Sequence, residues 1–317
     1  MFRPDGRFAY VIGANGSIYS YRVLPNGALR RITAKSAAGG GGPHNAVLSA
    51  NGRRLYVYTT DIDTQQRRAP KGYEGAIYQY AIGANGIAAP LTPAAVGVET
   101  QDYPLAQIDK IPPGNIALDP TGKYAYVPVW NGLDAYRIGP DGSLQAEPKS
   151  MRSMAPGSDD GRSVTRSEGA LSNLVISKTG AFAYCLELSS PAVIRESVPT
   201  TMCLDYFQRN RAGRLVLTDR RGIQPHGFLT DYRDLSTQQQ YGMLTKLALT
   251  PSDRSLIGVD AAGGQIERYA LGAKGKILGH APRTVRKIRS PSEVLFTEKS
   301  RGLIYQRRNQ LARNSSN

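Results

Sequence analysis

The chain has 317 residues, including 34 Gly and 20 Pro, with 40% hydrophobic positions and a formal net charge of +15. Gly plus Pro stays below the roughly 25–30% that marks a low-complexity chain, and the apolar content can bury a core. No apolar run approaches the ~18 residues of a membrane-spanning helix, so a helical membrane protein, a collagen and a coiled coil are excluded.

One unit recurs along the chain: an apolar strand, a tight Pro/Gly turn, then a strand of aliphatics and Tyr. It begins with Pro4-Asp5-Gly6-Arg7 and FAYVIG, and returns as AVLSANGRRLYVY (46–58), IALDPTGKYAYVPV (116–129) and LVISKTGAFAYCLEL (174–188). Weaker copies are LALTPSDRSLIGVD (247–260) and VLFTEKSRGLIYQ (294–306). The residues opening these turns are Pro4, Ala50, Pro120, Lys178, Pro251 and Glu298, at spacings of 46, 70, 58, 73 and 47. A second tight turn follows in five units, as in YRVLPNGAL, YAIGANGI and YRIGPDGSL, where Asn-Gly and Asp-Gly supply positive φ.

Each unit therefore reads as four short antiparallel strands, a to d, with no helical periodicity. Repeated four-stranded units of this length predict an all-β β-propeller of four-stranded antiparallel blades, six units being visible. The expected organisation is a single propeller over residues 1–306 and a polar, basic tail over 307–317.

The longest insertions (61–74, 97–110, 149–168 and 220–242) fall between strands b and c or between d and the next a. Alternating strands bring those two connections out at one end, which marks that end as the binding face. The innermost strand of each blade starts there. Five residues before each turn marker stand Asn45, Asn115, Asn173, Lys246 and Glu293, so polar groups line the expected channel mouth. Six before stand His44, Gly114, Ser172, Thr245 and Ser292.

His44 is the candidate base at this mouth, and Glu187, ending a b strand, is a candidate acid or base. Arg166 and His226 lie on insertions of the same end and are assigned, with Asn45, Asn115, Asn173 and Lys246, to substrate binding. His280 reads as surface. Asp61, Asp63, Asp159 and Asp160 lack the spacing of a calcium loop, so no metal and no cofactor are expected. Cys185 and Cys203 are either a cross-strand pair or two free thiols. The cations scatter over both ends, so nucleic acid is not the expected partner; rim arginines suit a small anionic molecule. A monomer is expected. Without a leader-like apolar stretch after Met1, the cytoplasm is the favoured compartment.

PDGRFAYVIG, DPTGKYAYVPVWNGLDAYRIGPDGSL and the tyrosine-bearing strands resemble the lactonase-family propellers, among them bacterial 6-phosphogluconolactonases. The resemblance runs over most of the chain and is best from Pro112 to Leu144. It implies a seven-bladed ring with its site at the channel mouth, a His and an Arg at the first residues of two inner strands, and a Glu in an NEL-like segment. Gly114 and Ser172 stand where that His and Arg are expected, while Glu187, in CLELSS, matches the Glu. The function this implies is a lactonase-like hydrolysis of a small anionic sugar lactone. The alternative is a non-catalytic propeller that binds a protein or a glycan through its long top loops.

Overall fold

The computed structural model describes residues 1–13, 16–36, 43–60, 75–98, 115–129, 132–147, 167–191, 201–223, 244–260, 265–278, 283–287, 291–295 and 304–307. Its contacts divide into two compact units, Met1–Ser153 and Met154–Asn317. The architecture is an all-β β-propeller built of small antiparallel sheets, each made from strands consecutive in sequence.

The first unit holds three sheets. They are β1 (Phe8–Ile12), β2 (Ser17–Val23) and β3 (Leu29–Ser36); β4 (Pro43–Leu48), β5 (Arg54–Thr60), β6 (Gly75–Ile82) and β7 (Ala88–Val98); and β8 (Ala117–Leu118), β9 (Tyr124–Val129), β10 (Gly132–Ile138) and β11 (Leu144–Ala146). In the second unit come β12 (Ser167–Ile176), β13 (Phe182–Pro191), β14 (Thr201–Arg209) and β15 (Leu215–Ile223), then β16 (Leu244–Leu249), β17 (Ser255–Asp260), β18 (Gln265–Ala270) and β19 (Arg283–Lys287). A two-stranded sheet, β20 (Pro291–Leu295) and β21 (Ile304–Arg307), follows.

The described residues thus form five blades, not the seven that the resemblance implies, with β20 and β21 as a sixth, partial sheet. The first blade starts at strand b, as expected, although Phe2 bridges to Ala9 and sketches the end of an a strand. The tail beyond Arg307 lies outside the described residues, as do 61–74, 99–114, 148–166 and 224–243. Parts of the expected insertions are strand instead. Gly97 and Val98 end β7, Ser167 and Glu168 open β12, and residues 220–223 extend β15, because backbone ladder pairing continues there whatever the side chains.

The turns follow from local chemistry. In the a–b turns Gly6, Gly52, Gly122 and Gly180 donate their N–H to the carbonyl three residues back, and in the c–d turns Gly27, Gly86, Gly142, Gly213 and Gly275 do the same. All have φ between 64° and 84°, where an L side chain is strained. The Asp or Asn before the glycine often locks the turn. Asp5, Asn26, Asn51, Asn85 and Asp141 each accept the backbone N–H two residues on.

Neighbouring blades are clamped by one repeated device. In three blades the residue four after the marker packs on the c–d glycine of the following blade. A Cβ on Gly86 would meet Phe8, one on Gly142 would meet Arg54, and one on Gly275 would meet Phe182. Two residues further on, a buried tyrosine donates to that same glycine's carbonyl: Tyr56 to Gly142 at 2.7 Å, and Tyr184 to Gly275. Arg54 adds a bond from Nε to the Asp141 carbonyl at 2.7 Å.

These phenols make the fold sensitive to alkali. Burial, only partly offset by the positive charge of Arg54, raises the Tyr56 pKa to about 12. Burial likewise raises Tyr10 to about 12 and pushes Tyr184 up. A folded-state pKa above the unfolded value near 10 means that the stabilisation is complete below pH ~10 and is lost as pH climbs through ~12. Urea midpoints should therefore hold steady up to pH ~10 and then fall, with tyrosinate absorbance rising together with unfolding. A midpoint unchanged from pH 9 to 12 would show that the phenols are not coupled to folding.

Candidate functional site

The first strands of the blades share an irregularity at the positions singled out from sequence. In β4, Pro43 lies opposite Thr59 and Asn45 opposite Tyr58, so His44 is an extra residue in the ladder. In β16, Leu244 faces Asp260 and Lys246 faces Val259, which makes Thr245 extra. Ser292 is extra in β20, between Pro291 opposite Arg307 and Glu293 opposite Gln306. In β12, Ser172 faces Leu186 and Val175 faces Tyr184, so Asn173 and Leu174 share one opposing residue. A bulge re-aims the side chains on its strand and is favoured beside binding sites. In three sheets the extra residue is the sixth before the turn marker, and in β12 the irregularity falls on the fifth and fourth, Asn173 and Leu174.

Asn173 carries the strain of this arrangement, with φ of 55°, a conformation Asn tolerates better than most residues; it is buried. Asn45 is half-buried, and its Oδ1 accepts the backbone N–H of Ile116 at 3.2 Å, tying β4 to the segment before β8. That carboxamide oxygen is thus engaged in holding two blades together. Asn115 lies outside any strand, half-buried, two residues ahead of the short β8. Lys246 is exposed, and its ammonium is open to solvent.

Glu187 sits in β13, directly opposite Leu171 of β12 and Cys203 of β14. It belongs to the second unit and His44 to the first. Arg166, His226 and His280 lie outside the described residues, as do Gly114, Asp61, Asp63, Asp159 and Asp160. Cys185 is buried and outside any disulfide; its register partner is Asp205, while Cys203 pairs with Glu187, so the two cysteines are offset by two pairs rather than opposed. Among the described residues, no three His, Cys, Asp or Glu side chains gather as a metal site, and no helix is long and apolar enough to cross a membrane.

One carboxylate was missed in the sequence. Asp260 ends β17 nine residues after its turn marker, the offset that Glu187 has in β13 and Thr59 in β5. The equal offset was a usable signal. It was masked because the fifth copy carries Pro-Ser-Asp in place of the glycine turn, with Asp253 taking the positive φ of 54°.

No known protein-family profile matches the chain, and no curated protein matches it by sequence. Similar solved structures exist. A protein from Lactobacillus plantarum matches with a TM-score of 0.59 and 13% identity, over 90% of this chain and 69% of that one. Sqt1 from Chaetomium thermophilum matches with a TM-score of 0.52 and 13% identity, over 92% of this chain and 59% of that one. The periplasmic gluconolactonase of Pseudomonas aeruginosa matches with a TM-score of 0.42 and 18% identity, over 96% of this chain and 86% of that one. At these identities the likeness is one of fold.

Proposed function

We propose that the protein is a lactonase-like hydrolase acting on a small anionic sugar lactone. The observation that carries this reading is the recurrence of bulges beside polar residues in the first strands β4, β12, β16 and β20, on a chain whose strands resemble the lactonase propellers. Glu187 is assigned the general base that takes a proton from water as it attacks the lactone carbonyl, and His44 is the second candidate for that role. Asn45, Asn115 and Asn173 supply hydrogen-bonding groups to sugar hydroxyls. Lys246, with Arg166 and His226 from the long connections, supplies charge for the anion.

Hydrolysis of 6-phosphogluconolactone should proceed above the buffer background in wild type. It should fall about 10²–10⁴-fold in Glu187→Gln, the usual span for a general base. Wild-type and variant rates both equal to the background would remove the enzyme reading.

A second reading, a non-catalytic propeller that grips a protein or glycan through its long connections, is favoured by Gly114 and Ser172 at the family His and Arg positions. It predicts ligand capture that is lost on deleting 61–74 while Glu187→Gln leaves it intact.

A further inference from the structure

Cations that are dispersed in the sequence are gathered by strand pairing on the first blade. Residues 1–36 hold six basic side chains, Arg3, Arg7, Arg22, Arg30, Arg31 and Lys35, and a single carboxylate, Asp5. The guanidinium carbons of Arg3, Arg7 and Arg22 stand 5.5, 5.8 and 5.9 Å from the centroid of the Phe8 ring. Phe8 pairs with Arg22 across β1–β2, and Arg22 pairs with Arg30 across β2–β3, so the three share one face in a row. Arg7, one register step away, reaches the same ring with its guanidinium.

Asp5 lies 3.4 Å from Arg3. Among the described residues, no other carboxylate lies within ion-pair distance of this group. Arg7, Arg22 and Arg30 are all exposed. Like charges directly opposite each other on a sheet oppose folding, and an anion bridging them removes that repulsion. The base is rigid: Phe8 is 1% exposed and is pressed on Gly86 of the next blade.

The shape of the row selects the ligand. Strands lie about 4.8 Å apart, so cations on three of them span about 10 Å, which suits a chain of charges better than one small ion. The cations are all arginine, whose planar fork matches phosphate oxygens two at a time. We propose that this arginine row is a docking surface for the phosphodiester backbone of a nucleic-acid strand. The proposal is independent of the hydrolase reading and departs from the expectation drawn from sequence, where Arg7, Arg22 and Arg30 lie 15 and 8 residues apart.

The test is fluorescence anisotropy of a fluorescein-labelled oligothymidylate with the full chain, between about 50 and 200 mM salt. Three phosphate contacts predict a log–log salt slope of about −2, at ~0.7 per contact. The triple variant Arg7→Gln, Arg22→Gln, Arg30→Gln should flatten that slope and weaken low-salt binding at least about tenfold. Arg211→Gln with Arg214→Gln, on the c–d turn of another blade, should change neither.

Loss of the Phe8 contacts could unfold the triple variant, so Arg30→Gln, which touches no ring, is the deciding single change; it should reduce the slope by ~0.7. Wild-type affinity and slope in Arg30→Gln overturn the proposal, as does the absence of salt-dependent binding in the wild-type chain. Poly-L-glutamate competing as well as oligothymidylate of equal charge also overturns it, by assigning the row to an acidic protein segment.

Discussion

Gly86→Ala should destabilise the first unit by about 2–5 kcal/mol, the sum of a left-handed backbone cost of ~1–2 and an overpacking cost of ~1–3. Gly86 has φ of +82°, and a Cβ there would stand 2.2 and 2.4 Å from Cδ1 and Cε1 of the Phe8 ring. The ring is buried, so it cannot swing into solvent. Gly27 isolates the backbone contribution: its φ is +81°, with nothing within 4 Å of the added carbon. Gly27→Ala should therefore cost only about 1–2 kcal/mol. Urea unfolding of both variants gives the comparison. A cycle with Phe8→Ala separates the two contributions, since removing the ring should recover most of the clash. Equal costs at Gly86 and Gly27 would show that the blade contact yields freely.

Gln79→Leu should cost about 1–3 kcal/mol, because it strips the partner from the buried N–H of Leu144 and from the part-buried carbonyl of Pro93 at once. Gln79 is fully buried in β6. Its Oε1 accepts the N–H of Leu144 at 2.7 Å, and its Nε2 donates to the carbonyl of Pro93 at 2.8 Å. One carboxamide thus joins a strand of its own blade to the start of the last strand in the next. Leucine fits the volume but returns neither bond, and an unpaired buried amide is the costly term. Gln79→Glu is the informative companion: it keeps the acceptor for Leu144 and replaces the donor, so its loss should grow as pH rises and the carboxyl ionises. Stability of Gln79→Leu within about 0.5 kcal/mol of wild type would mean that water replaces both contacts.

The glycine turns were legible because positive φ is a local demand that Asn-Gly and Asp-Gly advertise directly. So were the first strands that carry His44, Asn45, Asn173 and Lys246, found by counting back from those turns. The bulges at these positions were not legible, since a bulge is a mismatch between two strands and needs both sides of the ladder. Asn45 read as a free polar group; its oxygen is engaged by Ile116, 71 residues away. Polar stretches such as 220–223 read as connection and form strand, because hydrogen bonding to β14 does not depend on side-chain hydrophobicity.

From its residues alone, the chain specifies short strands, tight turns at set offsets and therefore a β-propeller of small antiparallel sheets, because each of these choices is settled within about ten residues. The tertiary structure decided the number of blades, the partners of the buried amides and phenols, and the gathering of Arg7, Arg22 and Arg30 beside Phe8. Those features depend on register between strands and on contacts between blades, where one residue's slip exchanges the two faces of a strand.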